Sequence, residues 1–349
     1  METLIFDTEA VESAARTEAV VSAVEDAFGA YERGNAIMPA KSYIDLPQYD
    51  GDFRAMPAYL DVRGSDASAS QRDVSEESRT GEGWDAAGLK WVNSHPDNPD
   101  SHDLPTVMGT MIYSDPETAF PLAIMDGTVL TKRRTGAAAA VATDHLAIED
   151  ARSLGIVGAG AQAYAQTEAI AAVRPIETVV VADRNADRQA AFVEAFDDHF
   201  DVRPGSIAEA AGRDVLSTVT PVAEPIVPRD AVSEHTHVNA MGADAVGKRE
   251  LEEAILLDAT LVIDDYEQCT HSGEINVPWS RGVLSDADLH AELGEVVTGR
   301  KRGRTDADGI SVFDSTGLAI QDVATAHVVY EAATDTGNGE AVSLLSDSI

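Results

Sequence analysis

Between Ser153 and Asp183 the chain reads S-L-G-I-V-G-A-G-A-Q-A, then a helix-like run from Tyr164 to Val173, then T-V-V-V-A-D. An apolar run, a glycine turn, a helix, a second apolar run and an acid, in that order, predict a parallel β-α-β crossover. Such a crossover confines this half of the chain to an open, doubly wound sheet of the Rossmann kind. Gly158 allows the tight turn, and Gly160 lets the backbone come close to a pyrophosphate. Ala163 is the small residue that lets the helix lie near the strand. The helix start offers unpaired N–H groups and the positive dipole end to phosphates. Asp183 suits the two hydroxyls of a ribose and repels a 2′-phosphate, so NAD is favoured over NADP. Arg184 beside it keeps NADP as the lesser option.

With 349 residues, 44% of them hydrophobic and 25% charged, the chain has material for two domains with separate cores. No apolar run approaches a membrane span, and M-E-T-L-I-F-D does not read as a secretory signal, so the expected location is the cytoplasm. Cys269, the single cysteine, excludes an internal disulfide. The formal charge is −36 and the lysines are confined to Lys41, Lys90, Lys132, Lys248 and Lys301. The acids are spread over every segment rather than gathered in a tail. A surface of that kind suits concentrated salt, which screens its self-repulsion, and it disfavours nucleic acid and anionic membranes as partners.

Ahead of the crossover, residues 8–34 read as one helix, capped by Thr8 and ended by Gly34. Strand-like runs follow near 41–46, 54–60, 89–93, 106–113 and 120–127. Residues 62–87 are polar, serine-rich and acidic, and are expected to form a mobile insertion between two strands. An alanine-rich helix from Thr131 to Leu146 leads into the crossover. Downstream, D-V-L-S-T-V-T, H-V-N-A-M-G and T-L-V-I-D-D read as further parallel strands, and the last helix returns to the first domain. The expected division is 131–314 for the nucleotide domain, with 1–130 and 315–349 forming an α+β substrate-binding and dimerisation domain.

Ligands of open α/β sheets sit at the carboxyl ends of the strands. Thr220 lies at one such end. At the next, M-G-A-D-A-V-G-K, Gly242 brings the backbone near a flat ring and Asp244 projects as a candidate catalytic carboxylate. Lys90 stands among apolar residues in G-L-K-W-V-N-S-H-P. Either it is buried for an anionic ligand or partner, or it points to water while Leu89 and Trp91 turn inward. Lysine scarcity favours a function for Lys90, Lys41 and Lys248. Arg134 could serve a phosphate or a substrate carboxylate, with Arg54 a weaker candidate. His235 and His237 lack a third partner at ligand spacing, so no metal is expected.

The stretches M-P-A-Y-L, K-W-V-N-S-H-P-D-N-P, A-I-M-D-G-T-V-L-T-K-R-R-T-G-A-A-A-A, G-I-V-G-A-G-A-Q-A, V-N-A-M-G-A-D-A-V-G-K-R-E-L, L-G-E-V-V-T-G and F-D-S-T-G-L-A-I-Q-D-V-A together resemble the ornithine cyclodeaminase/μ-crystallin family, on its archaeal alanine dehydrogenase side. The resemblance implies a homodimer. It implies that Lys41 meets the substrate carboxylate, where the family usually has the bidentate arginine. It makes Lys90 the active-site lysine, Asp244 the catalytic carboxylate and Thr316 a substrate contact. Nucleotide contacts would come from Thr106, Arg134, Ala161, Gln162, Asp183, Thr220, Met241, Gly242, Ala243, Lys248 and Ser315. Val246 replaces the proline usual in the Asp244 turn.

Two chemistries follow from that resemblance. A dehydrogenase exchanges hydride between NADH and the imine of pyruvate and ammonia. A cyclodeaminase oxidises ornithine, closes the ring and returns the hydride to give proline. The G-A-D-A turn favours the dehydrogenase, acting on a small amino or imino acid. Ornithine cyclodeaminase is the alternative, followed by a ketimine reductase or a non-catalytic NAD(P)H-binding protein.

Overall fold

Two eight-stranded sheets organise the chain, one in each of two compact units. The computed structural model describes residues 1–63, 83–305 and 308–345. Unit 1 comprises Met1–Arg134 and Leu318–Ile349, and unit 2 comprises Thr135–Gly317.

Unit 1 is built from β1 (Thr3–Phe6), α1 (Thr8–Ala14), α2 (Thr17–Glu32), β2 (Ala36–Ile37), β3 (Ser42–Leu46), β4 (Gly51–Asp61), β5 (Asp85–Ser94), α3 (Asn98–His102), β6 (Val107–Ser114) and β7 (Pro121–Asp126). The helix Ala319–Thr336 and the strand Glu340–Val342 complete it. Its sheet runs Glu340–Val342, β1, β7, β6, β5, β4, β2, with β3 also on β4. The pairing is antiparallel except between β1 and β7.

Three expectations need correction here. The helix expected over 8–34 is two helices, because Ala15 leaves helical geometry (ψ 67°) and Arg16 is extended (ψ 130°). Nothing local in E-S-A-A-R-T-E forbids a continuous helix, so tertiary packing overrides propensity. Nor does Thr8 cap it. Asp7 accepts the Ala10 N–H at 3.0 Å, while the Thr8 hydroxyl donates to Asp126 at 2.8 Å. Third, residues 85–87 are strand rather than insertion, since Asp85, Ala86 and Ala87 pair with Asp61, Leu60 and Tyr59. The Val62 N–H donates to the Trp84 carbonyl at 2.9 Å just beyond them. The rest of the expected insertion, 64–82, lies outside the described residues.

Unit 2 follows from α4 (Gly127–Leu146), a helix in which the division between the units falls. The divisions expected from sequence lie at 130/131 and 314/315, and the compact units divide at 134/135 and 317/318. Its strands are β8 (Ser153–Val157), β9 (Thr178–Ala182), β10 (Asp201–Pro204), β11 (Val215–Thr218), β12 (His237–Ala240), β13 (Thr260–Ile263), β14 (Leu289–Glu292) and β15 (Ser311–Asp314). They lie parallel in the order β10–β9–β8–β11–β12–β15–β13–β14. The winding reverses between β8 and β11. Both faces are covered, as alternation along β9 shows: Val179 and Val181 enter one core, Val180 and Ala182 the other.

Candidate functional site

In unit 2 the crossover takes the expected form, with α5 (Ala161–Val173) following β8. Gly158 has φ +101°, which a side chain would resist, and a Cβ there would stand 2.9 Å from Thr220. Its N–H donates to the Ala182 carbonyl at 2.8 Å, tying the turn to β9. Gly160 is the residue before α5; no side chain caps that helix, and a Cβ on Gly160 would meet nothing within 4 Å. The helix start therefore has both free donors and open space in front of it, which is what a pyrophosphate needs. Ala161 is exposed there, Ala163 is fully buried, and Gln162 Oε1 is a buried acceptor without a partner. Asp183, one residue past β9, accepts from Ala159 N at 2.7 Å and from Asn185 N at 2.7 Å. Arg184 beside it is exposed.

The ends of β11, β12, β13 and β15 are joined by buried carboxylates. Glu250 takes four donors: the Thr218 hydroxyl, the Thr220 N–H and hydroxyl, each at 2.6 Å, and the Gly242 N–H at 3.0 Å. It thereby fixes two of the expected nucleotide contacts. A Cβ on Gly242 would lie 2.3 Å from the Thr220 carbonyl, so the two loops touch through glycine. Glu274 accepts from the N–H groups of Glu250 and Leu251, Asp314 from those of Glu274 and Ile275. Asp264 receives the Ser315 hydroxyl and the N–H groups of Thr316 and Gly317, each at 2.8 Å. Burial raises the proton affinity of Glu250 and Glu274, and pushes the Asp314 carboxyl up to about 8.

Met241, Gly242 and Ala243 lead from β12 to Asp244, which is partly exposed. Lys248 Nζ donates to Asp244 Oδ1 at 2.8 Å. Val246, in the family's proline position, is exposed, and Gly247 beside it has φ +86°.

In unit 1 the structure decides between the two readings of Lys90. Lys90 is 1% exposed and Trp91 39%, so the lysine points in and the tryptophan out. Its strand neighbours across the sheet are Met56 and Met111, both buried. Lys90 Nζ donates to Asp322 Oδ1 at 2.8 Å, and Arg134 Nε approaches the same oxygen at 3.2 Å. Arg134 Nη1 donates to Gln321 Oε1 at 3.0 Å. Arg134 Nε is close enough for an ion pair yet is not aligned for a hydrogen bond, and Asp322 Oδ2 has no partner either. Burial pushes the Lys90 amine down to about 7; Asp322 opposes the shift, while the Arg134 and Lys41 charges add to it. Lys41, just before β3, is partly buried, as is Thr106, whose carbonyl accepts the His95 N–H at 2.8 Å. The expected substrate residues Lys41 and Lys90 thus share unit 1 with Arg134 and Thr106, and Thr316 lies in unit 2.

The profile of the ornithine cyclodeaminase/mu-crystallin family matches residues 1–71 and 77–337. The chain belongs to the ornithine cyclodeaminase/mu-crystallin family. Among members, an alanine dehydrogenase of Archaeoglobus fulgidus is 46% identical over 98% of this chain and 98% of its own. A Delta(1)-pyrroline-2-carboxylate reductase of Bacillus cereus is 35% identical over 75% of this chain and 82% of its own. The solved structure of an archaeal alanine dehydrogenase dimer with bound NAD is 44% identical, has a TM-score of 0.88, and covers 99% of this chain and 100% of its own.

Sequence reasoning missed Glu250, Glu274, Asp264 and Asp314, and it missed Gln321 and Asp322. The available signal in this family member was an acid with an apolar residue on at least one side: R-E-L, G-E-I, V-I-D, V-F-D and I-Q-D-V.

Proposed function

We propose that this family member is an NAD-dependent alanine dehydrogenase, interconverting L-alanine and water with pyruvate and ammonia. The observation that carries the reading is the near end-to-end likeness to the archaeal enzyme. The glycine turn and the lysine pocket supply the groups such a reaction needs. When bound, NADH supplies the hydride. The Gly158–Gln162 turn holds the pyrophosphate and Asp183 the ribose, while Thr220, Met241, Gly242, Ala243, Lys248, Ser315 and Thr106 line the rest of the nucleotide. Asp183 makes NADP the poorer ligand, and Arg184 beside it keeps NADP as the lesser option. Lys41 and Arg134 hold the substrate carboxylate as cations, and Thr316 adds a polar contact. Lys90 carries a proton near neutrality, and Asp244 exchanges protons with the substrate nitrogen.

NADH oxidation followed in molar KCl tests this: it should require pyruvate and ammonia together. Proline formed from ornithine with catalytic NAD+ and no net NADH would assign the cyclodeaminase chemistry instead. Asp244→Asn should keep NADH binding and cut turnover at least about a hundredfold. Unchanged turnover removes Asp244 from the mechanism.

Two features of the working form belong to the same proposal. The enzyme is a homodimer formed through the sheet face opposite Lys90, where Ile44, Trp91 and Ile112 are exposed and Phe53 stacks on Trp91 at 5.3 Å. Trp91→Glu should yield a monomer by light scattering. It works in a high-salt cytoplasm, so its melting temperature should climb as KCl rises from about 0.1 M to about 3 M. No helix among the described residues is long and apolar enough to cross a membrane.

A further inference from the structure

The surroundings of Lys90 are lopsided. From β4 and β6 it meets Met56 and Met111, which give the amine no polar support. The charged groups acting on it are Arg134 from α4, Lys41 from the segment before β3, and Asp322 from the first turns of the helix Ala319–Thr336. Two of those are cations that disfavour a further positive charge. Asp322 is the one anion of the three, is fully buried, and reaches Nζ at 2.8 Å.

The arrangement is a poor stabilising device. A buried pair gains over apolar packing only when both partners are fully hydrogen-bonded. Here Lys90 and Arg134 converge on Oδ1, while Oδ2 accepts nothing and the Gln321 amide nitrogen beside it donates to nothing. Packing alone does not call for a carboxylate at this place, where the helix is buried all round from Ala319 to His327. What the carboxylate does supply is a fixed point and a compensating charge for one amine.

We propose that Asp322 is the positioning residue of Lys90, fixing Nζ through Oδ1 and setting the pH below which Lys90 is a cation during turnover. The proposal rests on the reading that Lys90 serves the reaction. In the pyruvate-reducing direction Lys90 acts as the cation, so activity falls as pH rises through its titration. Removing Asp322 takes away the group that favours the charged form, and the alkaline limb must move to lower pH.

The test is the pH profile of kcat in molar KCl for Asp322→Asn, Asp322→Ser and Asp322→Glu, with NADH affinity measured by fluorescence. In Asp322→Asn the alkaline limb should move down by about one pH unit or more. Maximal kcat should fall about tenfold or more while the NADH dissociation constant stays within about twofold. Asp322→Glu, which keeps the charge, should return the limb to within about half a unit of wild type. Should Asp322→Asn not fold, Asp322→Ser leaves room for water beside the amine and carries the same expectation. A folded neutral variant whose limb stays in place overturns the proposal. Failure of the underlying reading looks different: Lys90→Met would then retain full turnover, whatever Asp322 does.

Discussion

Both units bury charge, but they neutralise it differently. In unit 2, Glu250, Glu274, Asp314 and Asp264 are met by main-chain N–H groups and hydroxyls, and the residues they hold are loops at the carboxyl ends of strands. In unit 1, a lysine and an arginine share one oxygen of one carboxylate, and the other oxygen goes unmatched. A carboxylate satisfied by several fixed backbone donors is a geometric clamp, since moving any loop breaks a short hydrogen bond in a low dielectric. An amine held by a single contact between methionines keeps its proton loosely. The first arrangement holds backbone loops in place and the second holds a single side chain. Scaffold and chemistry can therefore be told apart by how each buried charge is partnered.

The largest effect should come from the titratable group. Lys90→Met keeps the volume and leaves Arg134 beside Asp322, so the fold and NADH affinity should survive while turnover drops about a thousandfold. Steady-state rates with a parallel NADH titration check this. A variant that melts early yet turns over normally would break the contrast, because Lys90 would then be scaffold. The clamp should show the opposite profile. Glu250→Gln turns an amide toward donors that need an acceptor and should destabilise unit 2 by about 1–3 kcal/mol. NADH should bind more weakly, with the rate at saturating NADH close to wild type. Calorimetry and the KM-against-kcat split read the two halves of that expectation.

How much of this could be read from the chain follows from what is scarce in it. Lysine is scarce, so Lys90 between Leu89 and Trp91 stood out, although sequence alone left its direction open. Acids are not scarce: with 61 aspartates and glutamates, Asp322 and Glu250 are hidden among residues that merely cover the surface. Only an apolar setting marks them, as in I-Q-D-V. The glycine turn and the runs that form β8, β9, β11, β12 and β13 were legible because each element is local and periodic, whereas β10, β14 and β15 were not read as strands. Nor was β1, since T-L-I-F is four residues long and gains its place by pairing with β7 and with Glu340–Val342. The break at Ala15 escaped for a related reason, being imposed by packing rather than by a breaker residue. The fold was thus readable where structure is local, and the site where its residue type is rare.

Two further effects sharpen the account of the clamp. Gly242→Ala forces a Cβ against the Thr220 carbonyl and the Glu250 carboxylate, 2.3 and 2.6 Å away. It should cost about 1–3 kcal/mol and raise the KM for NADH, because these neighbours are held and cannot give way. Asp314 gives an effect that shows in the pH dependence of stability. Its carboxyl is raised from 3.8 to about 8, so the folded chain holds a proton there that the unfolded chain releases. The stabilisation from that proton is complete below about pH 4 and is lost as pH climbs through 8. Asp314→Asn cannot titrate, and although it melts lower throughout, its melting temperature should lack this decline. The difference curve, wild type minus Asp314→Asn, should fall steadily between pH 5 and pH 8. A flat difference curve would mean that Asp314 stays ionised in the fold, and that the clamps of unit 2 hold full charges on backbone donors alone.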